Sequence, residues 1–198
     1  ASPMSKSGRP REFKDTAVID AAIEVFWSRG YEACSTDDLC KETGLGRGSL
    51  YNAFGSKHEL YEQALARYHQ VGISTQLDIL KADKPVKERL RELLEWEIRE
   101  NSAAKDRGCL LINASAERGK SDPSVERIFN QHVNLLERAI EEAMTEGQSN
   151  GEIPADRDAG ELAALYLSSY YGLRVLHSGT MNRELTARIV DGILAAIF

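Results

Sequence analysis

The sequence is short of cysteine, of long apolar runs and of recognisable catalytic groups, and each shortage excludes a class of protein. Its 198 residues include three cysteines, an odd number that does not fit a disulfide framework and is typical of a reducing compartment. No run of about 18 uncharged apolar residues is present, so we expect no membrane span. No apolar segment follows the first residues, which argues against a secretory signal. We therefore expect a cytoplasmic protein.

Metal ligands and catalytic groups are also missing from the pattern. The four histidines are scattered, and none has another histidine or a cysteine at the i, i+4 spacing of a helical metal site. No motif brings a nucleophile together with a base. We predict no metal, no cofactor and no catalytic residues, and hence a protein that is not an enzyme.

Positive charge is scarce overall. The formal net charge is -6, and the residues up to His69 contain nine Lys and Arg against ten Asp and Glu. Any contact with nucleic acid must therefore come from a local basic patch, while the acidic remainder repels DNA. The candidates for such a patch are Lys6, Arg9, Arg11, Lys14, Arg47 and Lys57.

The segment Thr36–Phe54 contains two short helical patterns joined at Gly44. A glycine ends a helix well because it adopts the left-handed conformation without a Cβ penalty. The second helix, from about Arg47, turns Leu50 and Phe54 inward. Its outward residues are of types that contact DNA in the major groove, and they are Arg47, Gly48, Ser49, Tyr51 and Asn52.

The segments on both sides of this pair are also helical. Phe13–Gly30 repeats apolar residues at the spacing of an amphipathic helix. After the pair, Ser56 is an N-cap residue with Glu59 three positions on, which predicts a capping box at the start of a fourth helix. About fifty residues thus predict a compact helical unit.

These residues resemble the DNA-binding domain of TetR/AcrR-type repressors. The run GRPREF and the segment AAIEVFWSRGYEACSTDDLCKETGLGRGSLYNAFGSKHELYEQAL carry the likeness, over roughly residues 9 to 67. The matching positions are Tyr31, Thr36, Gly44, Leu50, Tyr51, Phe54, Ser56, Lys57, Glu59 and Leu60. Cys40 departs from the alanine usual there. The segment GCLLINASAE from Gly108 is similar to a subset of the family at its sixth helix.

The resemblance implies an all-α homodimeric repressor with two domains. An N-terminal three-helix HTH DNA-binding domain spans residues 9–60, with helix 4 linking the domains from residue 56. A larger C-terminal helical domain, residues 61–198, serves for effector binding and dimerisation. The expected partners are double-stranded DNA with a pseudo-palindromic operator, a small-molecule effector and a second copy of the chain.

Within the DNA-binding domain, the outward residues divide into readers and anchors. We expect Arg47, Ser49 and Asn52 to read base edges and Tyr51 to contact a phosphate or a thymine methyl group. Thr36 and Lys57 lie at helix N-termini, where they are expected to bind phosphates. Arg9 and Arg11 are expected to form a flexible arm that reaches an adjacent groove.

The rest of the chain reads as further helices. The predicted spans are Ser56–Leu80, Pro85–Asn101, Cys109–Arg118, Asp122–Glu146, Asp158–Ser178 and Asn182–Phe198. The helix from Asp158 is apolar on nearly every face, and the last helix ends on an apolar residue that would be wet in a monomer. We therefore predict that these two helices form a homodimer interface.

A ligand cavity is expected where the helix from Asp158 closes the core of its own subunit. Aromatic and polar residues on the predicted inner helices supply the mixture that a small-molecule pocket needs. The candidates are Trp96, Asn113, Phe129, His132, Tyr166 and Tyr170. Each alone is more typical of an ordinary core residue, and together they predict an apolar or aromatic effector.

Two alternatives stay open from the sequence. The same scaffold can serve as a redox or metal sensor, with Cys34 or Cys109 as the sensing group. A helical enzyme is the less favoured alternative, because no catalytic motif is present.

Overall fold

The computed structural model describes the backbone of residues 9–198 and the side chains from Lys14 onward. These residues form helices and no strand, in agreement with the predicted all-α class. The helices are α1 (Arg9–Arg29), α2 (Thr36–Thr43), α3 (Arg47–Phe54), α4 (Lys57–Leu80), α5 (Val86–Ala103), α6 (Leu110–Arg118), α7 (Pro123–Ser149), α8 (Ala159–Thr180) and α9 (Arg183–Ile197). None of the helices in this part of the chain is long and apolar enough to cross a membrane.

The HTH unit forms where local signals in the sequence place it. Gly44 ends α2 with a φ of 73°, as the glycine argument predicts. A complete capping box forms at the start of α2, where Ser35 and Asp38 bond each other's backbone amides. At α4 the Ser56 hydroxyl accepts from the Glu59 amide, which is the hydroxyl half of the predicted box. These caps fix where α2 begins and ends and where α4 begins.

Two apolar clusters make up the core, and α4 contributes to both. Its first half places Leu60 and Leu65 with Leu39 and Leu50 of the HTH unit. Its second half enters a larger cluster formed with α5, α7, α8 and α9. Helix α6 also packs into the N-terminal cluster, through residues such as Leu111, although the sequence assigned it to the second domain. The two parts of the chain are therefore joined by α6 as well as by α4.

The start of the chain differs from the predicted flexible arm. Helix α1 begins at Arg9 rather than Phe13, so the backbone of Arg9 and Arg11 is helical. The side chains of these two arginines lie outside the described residues. Their contact with DNA stays a prediction.

The end of the chain also corrects an expectation. Ile193, Leu194 and Ile197 of α9 are buried within their own subunit, and Phe198 packs against the same core. The prediction that the last residue would be wet in a monomer is wrong. The reason is that α9 turns its apolar stripe inward, onto α5 and α8.

Most of the exposed large apolar side chains among the described residues lie instead on α8. Leu165, Val175 and Leu176 are 43%, 54% and 46% exposed, and they share one side of the helix with Ser168 and Gly172. We call these five residues the α8 face. Large apolar side chains grouped on one exposed face are typical of an interface, and small residues between them allow a second helix to approach closely.

A charge on the α8 face should separate a dimer without unfolding the subunit. We expect Val175→Glu to give monomers at micromolar concentration in sedimentation velocity, because a two-fold axis places the two new carboxylates close to each other. The free energy of unfolding should change by less than about 1 kcal/mol, since the side chain is exposed in the subunit.

Val71→Glu on α4 is the matched control, because Val71 is the same residue type with the same 54% exposure. It should leave the association state unchanged. Val175→Glu protein that sediments as a dimer would show that the interface lies elsewhere.

Candidate nucleic-acid interface and ligand cavity

The outward side of α3 is open. Arg47, Gly48, Ser49 and Asn52 are all exposed, while Leu50 and Phe54 hold the opposite side in the N-terminal cluster. Gly46 precedes the helix and makes no side-chain cap, so the first amide groups of α3 are free of side-chain partners there. The helix therefore presents side chains and amide donors to a groove or a phosphate.

The Tyr51 side chain is less exposed than those of its outward-facing neighbours on α3. Its side chain is half-buried, and its hydroxyl lies 2.8 Å from Oγ1 of Thr36 at the start of α2. This hydrogen bond links the two helices at the surface. Thr36 and Tyr51 thus form a pair whose polar ends lie together beside the N-terminus of α2.

Lys57 lies over an aromatic ring. Its Nζ is 4.3 Å from the centre of the Tyr31 ring, and the Arg118 guanidinium is 4.0 Å from the same centre. Tyr31 in turn stacks on Tyr61 at 4.7 Å. Cation–π contacts of this kind orient a flexible lysine. Sequence reasoning did not anticipate them, because Arg118 is 61 residues away from Lys57 in the chain.

Helix α6 forms hydrogen bonds and an ion pair with the loop that follows α1. The Glu117 carboxylate accepts hydrogen bonds from the amides of Tyr31 and Glu32, at 2.8 and 3.1 Å. Arg118 forms ion pairs with Glu32 and, at 3.1 Å, with Asp122. These contacts tie the HTH unit to the second part of the chain at its surface.

A cavity of 390 Å³ lies between α1 and helices α4, α5, α7 and α8. Three of the six predicted ligand-binding residues line it, namely Trp96, His132 and Tyr170. Helix α1 forms another wall through Ile23 and Trp27. The chain has two tryptophans, and both line this cavity. Its volume lies within the range of small-molecule sites.

The other three predicted ligand-binding residues lie elsewhere. Tyr166 is fully buried in the core and donates its hydroxyl hydrogen to the Leu90 carbonyl at 2.6 Å. Asn113 donates to the Arg107 carbonyl and faces the surface loop before α6. Phe129 lines a separate open groove beside the α8 face. Helical spacing alone did not separate these positions from the cavity wall.

The inner end of the cavity holds a buried ion pair. Arg174 of α8 donates to Oε1 of Glu97 at 2.5 Å and to the Glu97 carbonyl at 3.2 Å. Burial raises the pKa of Glu97, and the guanidinium opposes that shift. At 2.5 Å with two further acceptors on the guanidinium, we treat the pair as ionic.

The Gly108 carbonyl connects three parts of the molecule. It accepts from Trp27 Nε1 of α1 at 3.1 Å and from Arg174 Nη2 of α8 at 2.9 Å. The next residue back, Arg107, places its guanidinium 4.7 Å from the centre of the Trp27 ring and pairs with Glu24 of α1 at 2.8 Å. We call Trp27, Gly108 and Arg174 the Gly108 junction. It lies at the cavity wall and joins α1 to α8.

Two histidines face each other beside the cavity. Nδ1 of His69 on α4 and Nδ1 of His132 on α7 are 2.8 Å apart, so one nitrogen donates and the other accepts. Burial, with a smaller contribution from His69, lowers the pKa of His132 to about 4. Burial also lowers the pKa of His69. Both rings are therefore neutral near pH 7.

Cys34 is a buried thiol, and Cys40 and Cys109 are half-buried. Burial raises the pKa of Cys34 to about 11 and also raises the pKa of Cys109, which lines the cavity and lies 3.5 Å from the Tyr68 hydroxyl. A thiol with a raised pKa carries little thiolate and reacts slowly. Within the described residues, no group of three His, Cys, Asp or Glu side chains is arranged to hold a metal ion.

The histidine pair predicts a loss of stability in weak acid. The folded-state pKa of His132 lies below its ordinary 6.5, so stability is full above pH 6.5. As pH falls from 6.5 toward 4, the unfolded chain takes up a proton that the folded protein excludes. The free energy of unfolding, measured in urea, should be lower at pH 4.5 than at pH 7, and this group should account for up to about 3 kcal/mol of the loss.

His132→Gln is the comparison, because an amide keeps a hydrogen-bonding partner for His69 and does not titrate. The carboxylates contribute equally to the pH dependence of stability in the two proteins. The difference between the unmodified protein and His132→Gln therefore gives the contribution of His132 alone. Equal losses of stability in the two proteins between pH 7 and 4.5 would contradict the assignment.

Two family models match the chain. One is described as "Bacterial regulatory proteins, tetR family" and matches residues 18–64. The other is described as "Tetracyclin repressor-like, C-terminal domain" and matches residues 86–190. The two matches fall on either side of the second half of α4.

Individual relatives cover nearly the whole chain. The uncharacterized HTH-type transcriptional regulator YezE of Bacillus subtilis is 30% identical over 194 residues, which is 96% of this chain and 99% of YezE. The HTH-type transcriptional repressor ComR of Escherichia coli is 29% identical over 79% of this chain and 75% of its own length. A solved structure of a cysteine-substituted TetR-family regulator, CifR, with 26-bp operator DNA is 29% identical, with a TM-score of 0.78 over 100% of both chains.

Proposed function

The chain belongs to the tetR family of bacterial regulatory proteins and is a ligand-responsive DNA-binding transcriptional regulator, and from this we propose that it is a repressor released from its operator by a small aromatic effector. The proteins that it resembles are regulators rather than enzymes. One observation carries the proposal: α1 packs against α2 and also forms a wall of the cavity. An occupant of the cavity therefore touches the helix on which the HTH unit rests.

The operator is a pseudo-palindrome bound by a homodimer. Two-fold HTH proteins hold their recognition helices at roughly 34 to 36 Å, the separation of successive major grooves on one side of DNA. The CifR structure contains 26-bp double-strand operator DNA, and its chain has a similar fold over the whole of both chains, which supports operator binding by this chain. A protein that acts on bacterial DNA works in the cytoplasm, and we propose that location here.

The exposed residues of α3 take the reading roles. Arg47, Ser49 and Asn52 contact base edges, and Gly48 lets the start of the helix come close to the DNA. The hydroxyl groups of Thr36 and Tyr51, which bond each other, contact one phosphate as a pair.

The phosphate anchors come from beyond α3. Lys57, oriented by Tyr31, offers charge to a neighbouring phosphate. Arg9 and Arg11 remain candidates for further backbone contacts. None of these anchors carries sequence information directly.

The effector acts by shifting a population of dimers. Trp27 and Arg174 line the cavity and share the Gly108 carbonyl, so an occupant bears on α1 and α8 together. A molecule that fits better when these helices move favours dimers whose recognition helices are wrongly spaced. By linkage, operator DNA weakens effector binding by the same free energy by which the effector weakens operator binding, typically about 1 to 3 kcal/mol.

A redox or metal sensor is the weaker candidate. Cys34 is buried and Cys109 is half-buried, and both have raised pKa values, so neither is mainly thiolate near pH 7. Cys109 does line the cavity, which places it beside the effector rather than in a solvent-facing reactive site. We therefore assign it to the cavity wall.

The reading and anchoring roles predict two different kinds of defect. We expect a pseudo-palindrome when bound sequences are selected from a random DNA pool. Arg47→Ala should relax the preference at one base pair in each half-site by roughly 1 to 3 kcal/mol. Lys57→Ala should weaken all sequences about equally and lower the salt slope by roughly one unit per subunit.

The measurement is binding of both variants to the selected operator and to single-base substitutions of it, at several salt concentrations. Each variant thereby serves as the control for the other. If Lys57→Ala changed the base preference and Arg47→Ala left it intact, the assignment of the reading face would be wrong.

A further inference from the structure

The walls of the cavity carry polar atoms that lack hydrogen-bond partners. Among the described residues, three buried side-chain atoms are unpartnered: Oε1 of Gln76, the Tyr171 hydroxyl and Nε of Arg174. All three belong to residues that line this one cavity. Buried polar groups without partners cost free energy, and an occupant of the cavity that reaches these atoms would supply the missing bonds.

The three atoms differ in what they require. Arg174 Nε carries a hydrogen and needs an acceptor, whereas Gln76 Oε1 is an acceptor and needs a donor. The Tyr171 hydroxyl can do either. The amide nitrogen of Gln76 is already engaged, since it donates to the Tyr170 hydroxyl at 2.7 Å. An occupant that satisfies these walls must both donate and accept.

The charges of the cavity disfavour an anionic ligand. Arg174 is neutralised by Glu97 at the inner end, and Arg67 pairs with Asp20 at 2.6 Å on the α1 side. Glu100 is a third carboxylate and makes no ion pair in the part of the chain that the structure describes. An anion would approach an unpaired carboxylate, and both guanidinium groups are already paired.

The remaining wall is largely aromatic. Trp27, Tyr68, Trp96, Tyr170 and Tyr171 all line the cavity. Flat aromatic rings pack against such walls in stacked or edge-to-face arrangements. The apolar contact area therefore favours a planar ring system.

We propose that the effector is an aromatic molecule that carries no anionic group and bears a hydroxyl group that exchanges hydrogen bonds with Tyr171 and Arg174, as a phenol or naphthol does. This inference rests on the proposed function for its consequence at the operator. The chemistry of the cavity itself can be tested separately from DNA release.

The test compares three probes with one ring skeleton: 2-naphthol, naphthalene and 2-naphthoate. Titration calorimetry of the intact protein measures the affinity of each, and the fluorescence of the two cavity tryptophans reports where the probe binds. We expect 2-naphthol to bind at least about tenfold more tightly than naphthalene or 2-naphthoate, because a site with unpaired polar groups rejects an analogue that cannot pair them.

Tyr171→Phe removes one of the unpartnered groups, so the ratio of naphthol to naphthalene affinity should fall several-fold. Tyr166→Phe is the matched control, because its hydroxyl bonds the Leu90 carbonyl in the core and does not line the cavity. That variant should keep the ratio of the unmodified protein. Tighter binding of 2-naphthoate, failure of all three probes to bind, or an equal ratio in Tyr171→Phe would overturn the inference.

Operator binding is measured in parallel with saturating 2-naphthol. If naphthol binds with the expected preference and operator affinity is unchanged, the cavity chemistry holds and the proposed release mechanism fails. If 2-naphthoate binds more tightly and releases the operator, the mechanism holds and the inference about effector class fails.

Discussion

One backbone carbonyl constrains the whole arrangement. Gly108 accepts hydrogen bonds from Trp27 of α1 and from Arg174 of α8, so the helix beneath the HTH unit and the helix that carries the α8 face meet at a single oxygen. The φ of 76° at Gly108 is a left-handed conformation that other residues adopt only with strain. Arg174 requires this acceptor, because a buried guanidinium must be surrounded by acceptors as well as paired with a charge. Movement of α8 relative to α1 therefore breaks or rearranges the junction.

The cavity lies beside the Gly108 junction, so an occupant can act on it. Its walls include both donors of the Gly108 junction, and they also include groups whose hydrogen bonds are incomplete. Packed protein cores do not deform continuously, so we expect a change at the junction to move whole helices. Helix α6 adds a second connection through Glu117 and Arg118 to the loop after α1. The HTH unit is thus joined to the C-terminal helices at the Gly108 junction and through α6 as well as through α4, and we infer that a shift of α8 or α6 reaches α3.

Local signals explain what the sequence could predict. Gly44, the Ser56 cap and the spacing of Leu50 and Phe54 act within a few residues, and the structure places α2, α3 and the start of α4 accordingly. The tertiary environment of individual side chains could not be predicted from the sequence. Tyr166 and Tyr170 are four residues apart on α8, yet Tyr166 bonds the Leu90 carbonyl in the core while Tyr170 lines the cavity.

The residues that the sequence reading missed show the same limit. Arg174 carries a charge within an apolar helix, and nothing local to it indicates that Glu97 neutralises it across 77 residues. Trp27 was read only as part of an amphipathic helix, although it forms a wall of the cavity. The inward turn of α9 likewise depends on partners from α5 and α8. Long-range pairing of this kind leaves no periodic trace in a single sequence.

The central claim is that filling the cavity releases the operator, and Gly72 tests it without any ligand. Gly72 lines the cavity, and a Cβ there would lie 3.9 Å from Oε1 of Gln76 and 4.0 Å from Cε1 of His132, in ordinary contact. Gly72→Ala should therefore bind the operator as the unmodified protein does, whereas Gly72→Leu fills the space from within. The account predicts that the folded, dimeric Leu variant binds the operator roughly tenfold or more weakly than the Ala variant. Equal operator affinity of the two variants would contradict it.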